Sequence, residues 1–269
     1  RVQGMVNLPF NDAVKMRVVL DWNKRGDGFV KNIIPGGQDV DKSETFSGRV
    51  KFAFELAPNL HLDLSSTFLH QNGPSQYFVL HNPPTAQAVA LNPILATATY
   101  SFKPWQTTAN DPINTRRNFS MTAGTLTWDL GDVSLKSISG LTFLRDNSVA
   151  DDDGISVSLF PVTRDYYSKT FSQEFNVAAH LDRADIVTGL YYLNDDLRHT
   201  LDYNMVNGVA ASTPRGLPPG SHLTFRIPRY QTEVKAAFAD VTVKATDRLS
   251  LIAGVRYSEE TQSQTHTNT

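Results

Sequence analysis

The chain has 269 residues, 40% of them hydrophobic and 10% aromatic, enough apolar surface for a large folded unit and too much for a disordered one. Its net charge of −2 argues against a nucleic-acid binder held by a basic face. The absence of cysteine excludes disulfides, thiolate zinc sites and cysteine nucleophiles. No apolar run approaches the ~18–20 residues of a transmembrane helix. The mean hydropathy of −0.29 is that of a water-soluble protein, but a barrel with a polar lumen and an apolar outside averages to a similar value. The pattern along the chain therefore has to decide. The chain opens Arg1-Val2-Gln3-Gly4 with no apolar leader, as expected of a mature, trimmed or partial sequence.

Period-two alternation dominates the sequence and predicts about ten strands. They fall at 1–9, 13–24, 44–57, 59–71, 115–130, 133–146, 167–181, 184–197, 230–245 and 248–262. In the second, Val14, Met16, Val18, Leu20 and Trp22 oppose Lys15, Arg17, Asp21 and Asn23. The third is the clearest, with Phe46, Gly48, Val50, Phe52, Phe54 and Leu56 against Thr45, Ser47, Arg49, Lys51, Ala53 and Glu55. Leu60, Leu62, Leu64 and Phe68 follow on one face of the fourth. The segments 115–130 and 133–146 carry apolar groups on both parities, among them Met121 with Trp128, and Ile138 with Leu141; a bulge or a wall touching an interior domain would each produce this. Further on, Phe171, Phe175, Val177 and Ala179 oppose Ser172, Glu174 and Asn176, and Leu249, Leu251, Ala253, Val255 and Tyr257 line the last strand.

The connections alternate strictly between short and long. Short ones lie at Phe10-Asn11-Asp12, Ala57-Pro58-Asn59, Gly131-Asp132, Asp182-Arg183 and Thr246-Asp247; long ones lie at about 25–43, 72–114, 147–166 and 198–229. In an up-and-down sheet every second connection emerges on the same edge, so the short turns share one rim and the long loops the other. The expected fold is therefore all-β: an antiparallel, up-and-down transmembrane barrel segment of about ten strands, spanning 1–269 as one unit.

Several stretches resemble the barrel of TonB-dependent outer-membrane receptors. The hairpin from Thr246-Asp247-Arg248-Leu249-Ser250-Leu251 to Gly254-Val255-Arg256-Tyr257 is similar to one that recurs in that family, with Phe238 one strand earlier where an aromatic is usual. Ser172-Gln173-Glu174-Phe175-Asn176-Val177 and Gly189-Leu190-Tyr191-Tyr192 resemble two consecutive strands of the family barrel. Asn7-Leu8-Pro9 and Asp27-Gly28-Phe29-Val30-Lys31-Asn32 look like its first hairpin. The resemblance covers nearly the whole chain and implies the early part of a barrel, without plug domain or TonB box, from a family with about twenty-two strands. It implies an outer-membrane location and energy-dependent uptake of a scarce nutrient, most often an iron–siderophore complex, with outer-membrane lipid, a plug domain and TonB as partners. A self-contained ten-stranded barrel acting as a pore or surface enzyme, and a soluble carbohydrate-binding β-domain, are the alternatives.

On this reading no catalytic constellation, metal site or cofactor is expected. There is no G-x-S-x-G sequence or P-loop, and His61, His70, His81, His180, His199, His222 and His266 form no close ligand spacing. Asp151-Asp152-Asp153-Gly154 departs from a calcium loop because Phe160 stands where a bidentate Glu belongs, and reads as a solvated acidic loop. If the apolar parity faces lipid, Arg17, Arg49, Lys51, Glu55, Glu174, Lys235 and Arg256 face the lumen and a plug. Trp22, Trp128, Tyr166, Tyr167, Tyr191 and Tyr192 suit the aromatic girdles. Tyr77, Trp105, Arg164, His199, Tyr203 and Arg226, placed in or near the long loops, are the expected ligand contacts, able to stack on or pair with an anionic metal chelate.

Overall fold

Ten antiparallel strands in sequence order make the body of the protein, seen in a computed structural model that describes residues 1–74, 78, 80, 82–207 and 218–268. The elements are β1 (Val2–Pro9), β2 (Val14–Arg25), β3 (Lys31–Asn32), β4 (Ser43–Ala57), β5 (Leu60–Gly73), α1 (Ala86–Leu91), β6 (Gln106–Thr107), β7 (Asn114–Asp129), β8 (Val133–Asp151), β9 (Pro161–Leu181), β10 (Ala184–Met205), β11 (Ser221–Thr246) and β12 (Leu249–Asn268), with a single 3₁₀ turn at Pro93–Thr97. The sheet order is β1-β2-β4-β5-β7-β8-β9-β10-β11-β12; β1 and β12 are its two outer strands, and the sheet is not closed. The short strands β3 and β6 pair in parallel within the long connections.

Three of the short turns are closed by local chemistry. The Asn11 side chain accepts the Ala13 N–H at 2.9 Å, Thr246 accepts the Arg248 N–H at 3.2 Å, and Gly131 takes a positive φ of 79°. Asn59 donates to the Asp129 carbonyl at 2.9 Å, tying two neighbouring turns of this rim together.

The register carries the alternation of each strand across the whole sheet. Val14, Phe54, Leu62, Leu126, Ser137, Phe175, Leu190, Ala237 and Tyr257 form one continuous cross-strand row. One residue further along each strand, on the opposite face, run Lys15, Ala53, Asp63, Thr125, Ile138, Glu174, Tyr191, Ala236 and Ser258. The first face leaves Leu64, Trp128, Phe175, Leu190 and Val255 exposed to the surroundings. Apolar groups that continuous belong against hydrocarbon, and in water they would form an aggregation surface. The stretch from Phe46 to Phe54 on β4 matches the ~9–11 residues that a tilted strand uses to cross the bilayer core.

The mixed segments 115–130 and 133–146 contain no bulge: β7 and β8 stay in one register from Asn114↔Val149 to Asp129↔Ser134. Phe119, Met121, Ile138 and Leu144 share the inner face, and Trp128 and Leu141 the outer one. Gly48 sits on the outer face beneath the Phe68 ring, where an added Cβ would meet Phe68 Cζ at 2.7 Å and Leu20 Cδ2 at 2.8 Å.

The strands run further than their alternation suggests. β9 begins at Pro161, β10 ends at Met205 and β11 begins at Ser221, so the expected loops at 147–166 and 198–229 shrink to 152–160 and 206–220. The most deeply buried apolar groups lie in and beside the long connections: Val30, Val40, Ala109 and Ile113 form a cluster, and Ala150, Ile155, Leu159, Val162 and Met205 are buried nearby in sequence.

The opposite burdens of the two faces can be read from adjacent residues at mid-strand. Val50→Arg puts a charge in the hydrocarbon and is expected to lower stability by about 2–4 kcal/mol. Lys51→Gln on the inner face is expected to change it by no more than about 0.5 kcal/mol. Guanidinium unfolding from phospholipid bilayers measures both.

Candidate functional site

Where β5, β7, β8, β9 and β10 extend toward the long-loop rim, their inner faces form an open cleft of about 650 Å³. Leu69, Phe119 and Leu144 make its apolar floor and account for part of the broken alternation of β7 and β8, while Met121 and Ile138 lie further down the same inner face. Arg117 donates from Nε to Asp146 Oδ2 at 2.7 Å, with a second contact from the same guanidinium at 2.5 Å. Arg164 reaches Asp152 at 2.8 Å, and Tyr166 meets the His199 ring edge-on at 6.0 Å. The cleft thus offers two partly exposed guanidinium groups, an imidazole and a phenol above an apolar floor, donors suited to a flat anionic ligand.

Beside this cleft lies a knot of carboxylates. Fully buried Asp151 accepts four backbone N–H groups: Asn110 and Asp111 on Oδ2, Asp153 and Gly154 on Oδ1. Asp153, 7% exposed, accepts from Ile155, Leu159 and Phe160. The expected solvated loop is therefore corrected: these aspartates are interior anchors, because a carboxylate is compact enough to gather several orphan amides of an irregular segment. Carboxylate oxygens of Asp111, Asp151 and Asp153 lie within 4.8 Å of one another. Backbone donors occupy Asp151 and Asp153, so these two work as structural anchors. Burial and the neighbouring Asp151 charge push Asp153 up to about 7, and burial likewise raises Asp111 and Asp152.

Through this knot the long connections are chained together. Asn32 donates to the Ala109 carbonyl at 2.7 Å and Gln38 to that of Ile113 at 3.0 Å, joining 26–42 to 74–113. Thr108 donates to the Gly154 carbonyl at 3.1 Å, joining 74–113 to 152–160. Val206 N–H reaches the Leu159 carbonyl at 3.0 Å, joining 152–160 to 206–220.

Of the expected ligand contacts, the structure brings Arg164 and His199 into the cleft. Tyr203 stands four residues beyond His199 on the same face of β10, paired with Val162. Trp105 is elsewhere: 65% exposed, with a positive φ of 64°, its carbonyl accepting the Lys31 N–H. Arg226 pairs with Thr200, whose parity is opposite to that of His199, and so projects from the outer face. Tyr77 lies outside the described residues. Three of these residues, with Arg226, belong to strands because the sheet continues past the membrane into the segments taken for loops.

Arg17, Arg49, Lys51, Glu55, Glu174 and Arg256 share the inner parity. Arg17 bonds Asn7 at 2.6 Å, Arg49 bonds Thr67 at 2.9 Å, Glu55 meets His61, and Arg256 stacks near Phe238 and Tyr191. Lys235 corrects the expectation: it pairs with Tyr192 and Glu259 on the outer parity. The aromatic pairs divide for the same reason. Tyr167 and Tyr192 share the outer parity with Trp22 and Trp128, while Tyr166 and Tyr191 point inward, because neighbours in a strand cannot share a face. Arg117 and Asp146, central to the cleft, were not singled out by the sequence; each lies on the polar parity of its strand, but nothing local distinguishes it from other charged wall residues.

A family model of the TonB-dependent receptor β-barrel matches residues 55–269. The chain belongs to this family. No curated relative matches it by sequence. Among solved structures, this receptor barrel is similar to the ferric yersiniabactin uptake receptor FyuA of Yersinia pestis, with a TM-score of 0.72 and 18% identity over 99% of this chain and 40% of that one. It is also similar to the ferric-catecholate import receptor Fiu of E. coli K12 in its open form (TM-score 0.58, 16% identity, 97% and 43% covered). A mutant of the ferric enterobactin receptor PfeA of Pseudomonas aeruginosa matches with a TM-score of 0.51 and 13% identity over 98% of this chain and 38% of that one. The receptor barrel described here spans about 40% of the length of these solved receptors. At such identities the likeness establishes the shared fold.

The carboxylate knot makes loop order depend on pH with a definite sign. Asp153 is held above its usual 3.8 in the folded loops, so folding takes up its proton. Its contribution is full below about pH 4 and is lost as pH rises through about 7. Amide exchange of 152–160, corrected for intrinsic rate, is expected to be slower at pH 5 than at pH 8, and Asp153→Asn to flatten that difference. Asp151→Ala, which strands four donors, is expected to open the segment to proteases at either pH.

Proposed function

We propose that the chain is part of an outer-membrane receptor that captures a ferric siderophore at the long-loop rim and passes it inward with energy relayed by TonB. The observation that carries this reading is the inner-face cleft of Arg117, Arg164, Tyr166 and His199 at the top of a polar wall in a TonB-dependent receptor barrel. A ferric chelate presents anionic oxygens and flat rings, which guanidinium groups bind bidentately and phenol or imidazole rings stack on. Among the similar structures are an uptake receptor for ferric yersiniabactin and an import receptor for ferric catecholates. The role proposed here is binding and transport without catalysis.

The lower wall supports a plug as the internal partner. Arg17 and Lys51 lie directly opposite each other, with Lys15 next along the same face. Facing cations repel unless an outside group balances them, and acidic groups on a plug domain supply that balance in this proposal.

In iron-starved cells lacking other receptors, the complete protein is expected to accumulate ⁵⁵Fe–siderophore only when TonB is present. Arg164→Ala combined with His199→Ala is expected to weaken ligand binding by about tenfold or more, as loss of a charge-assisted contact at a partly dry site does. Uptake that persists unchanged without TonB would count against the proposal.

A further inference from the structure

On the opposite face of the same strands lies a second basic site. Arg145, Tyr167 and Arg198 form a cross-strand row on the outer parity of β8, β9 and β10, and Asp165, Thr200 and Arg226 form the next row above. A cleft of about 380 Å³ opens between these rows, shaped where the β10–β11 register slips between Leu197 and His199. It is continuous, through Tyr167 and Arg198, with a second cleft of about 330 Å³ that runs down past Lys169 to Phe171. Phe171 belongs to the lipid-facing apolar set of β9.

Charge in this groove is unbalanced. Arg145, Lys169, Arg198 and Arg226 line it against two carboxylates: Asp196, shared by Arg198 at 3.4 Å and Arg229 at 3.0 Å, and Asp165, which accepts the Asn147 amide at 2.6 Å. Among the described residues Arg145 takes part in no ion pair, and Arg226 makes no direct one, acting at longer range on the Asp202 carboxylate above it. Arg198 lies over the Tyr167 ring at 5.8 Å, which holds its guanidinium at the groove wall. Height decides the partner. From Phe171 to Tyr167 is about 13 Å along the strand at ~3.3 Å per residue, or roughly 10 Å above the Phe171 ring after a ~40° tilt. That is the level of lipid headgroups, and the groove descends from it to hydrocarbon. Strands flank it on both sides, so no further strand of the barrel covers it.

We propose that this outer groove seats a phosphorylated lipid of the outer leaflet, with an acyl chain along Phe171 and a headgroup phosphate held by Arg145, Arg198 and Arg226. Phosphate suits this triad because planar guanidinium groups bind its oxygens in pairs and stay charged at every physiological pH. The site opens on the face opposite the inner cleft, sharing only His199 with its lining, and does not depend on which ligand the receptor imports. It reassigns Arg226 from ligand capture to membrane anchoring.

The test uses the complete receptor, delipidated in neutral detergent, with native mass spectrometry as readout. The probes are bisphosphorylated lipid A, the same lipid stripped of its phosphates, and inorganic phosphate. Retention of the phosphorylated lipid alone is expected, and Arg145→Gln/Arg198→Gln/Arg226→Gln is expected to lower that retention about tenfold. Arg145→Gln by itself, which breaks no ion pair, is expected to lower it about threefold and serves if the triple variant does not fold. Arg183→Gln on the short-turn rim is expected to leave it unchanged. Equal retention of the dephosphorylated lipid, occupancy by inorganic phosphate at the same concentration, or full retention by the folded arginine variants would overturn the proposal.

Discussion

The governing constraint is that no backbone amide or carbonyl can be left unpaired in hydrocarbon. Each unsatisfied group there costs several kcal/mol, so a chain without a long apolar helix crosses only by pairing strand to strand. From this follow the unbroken antiparallel order of the sheet and the long ladders without bulges inside the apolar band. Register slips occur outside it, at Leu197/His199 and Arg226/Arg229 on one side and at Glu55/Ala57 and Lys244/Thr246 on the other. Irregular backbone is thus displaced to levels where water or protein completes its hydrogen bonds.

That displacement also moves the packed core. A single sheet with lipid on one side and a polar interior on the other buries little of itself, and the most enclosed residues belong to the long connections and the strand ends that meet them. There, Val30, Val40, Ala109 and Ile113 exclude water while Asp151 and Asp153 collect stranded amides. The apolar cluster and the buried carboxylates are complementary, since an irregular segment folds inward only if something inside accepts its N–H groups. The rim that bears the inner cleft is in this way held by chemistry quite different from that of the wall below it.

Once the strands clear the apolar band, both faces are free to be polar, and they diverge. The inner face concentrates Arg117, Arg164, Tyr166 and His199 over an apolar floor. The outer face concentrates Arg145, Arg198 and Arg226 beside Tyr167. Tyr166 and Tyr167 are neighbours in sequence, yet they serve opposite surfaces. The strict two-residue period lets a single strand line the inner cleft and the outer groove with residues one peptide apart.

The sequence by itself determined the fold class, the strand count, the two faces and the segregation of short turns from long loops, because these depend on local periodicity and turn residues. The ordered resemblance of its strands also pointed to the family. Only the tertiary structure decided where the strands stop and which residues meet. Polar alternation beyond the bilayer resembles a loop until its ladder partners are known, so Arg164, His199 and Tyr203 were legible as polar rim groups but not as strand residues. The outward turn of Lys235 and Arg226 is a matter of cross-strand register and a bulge, and the burial of Asp151 and Asp153 depends on amides contributed by distant segments. A partner forty residues away in sequence leaves no mark on the local pattern, and contacts of that kind are what define the cleft and the knot beside it.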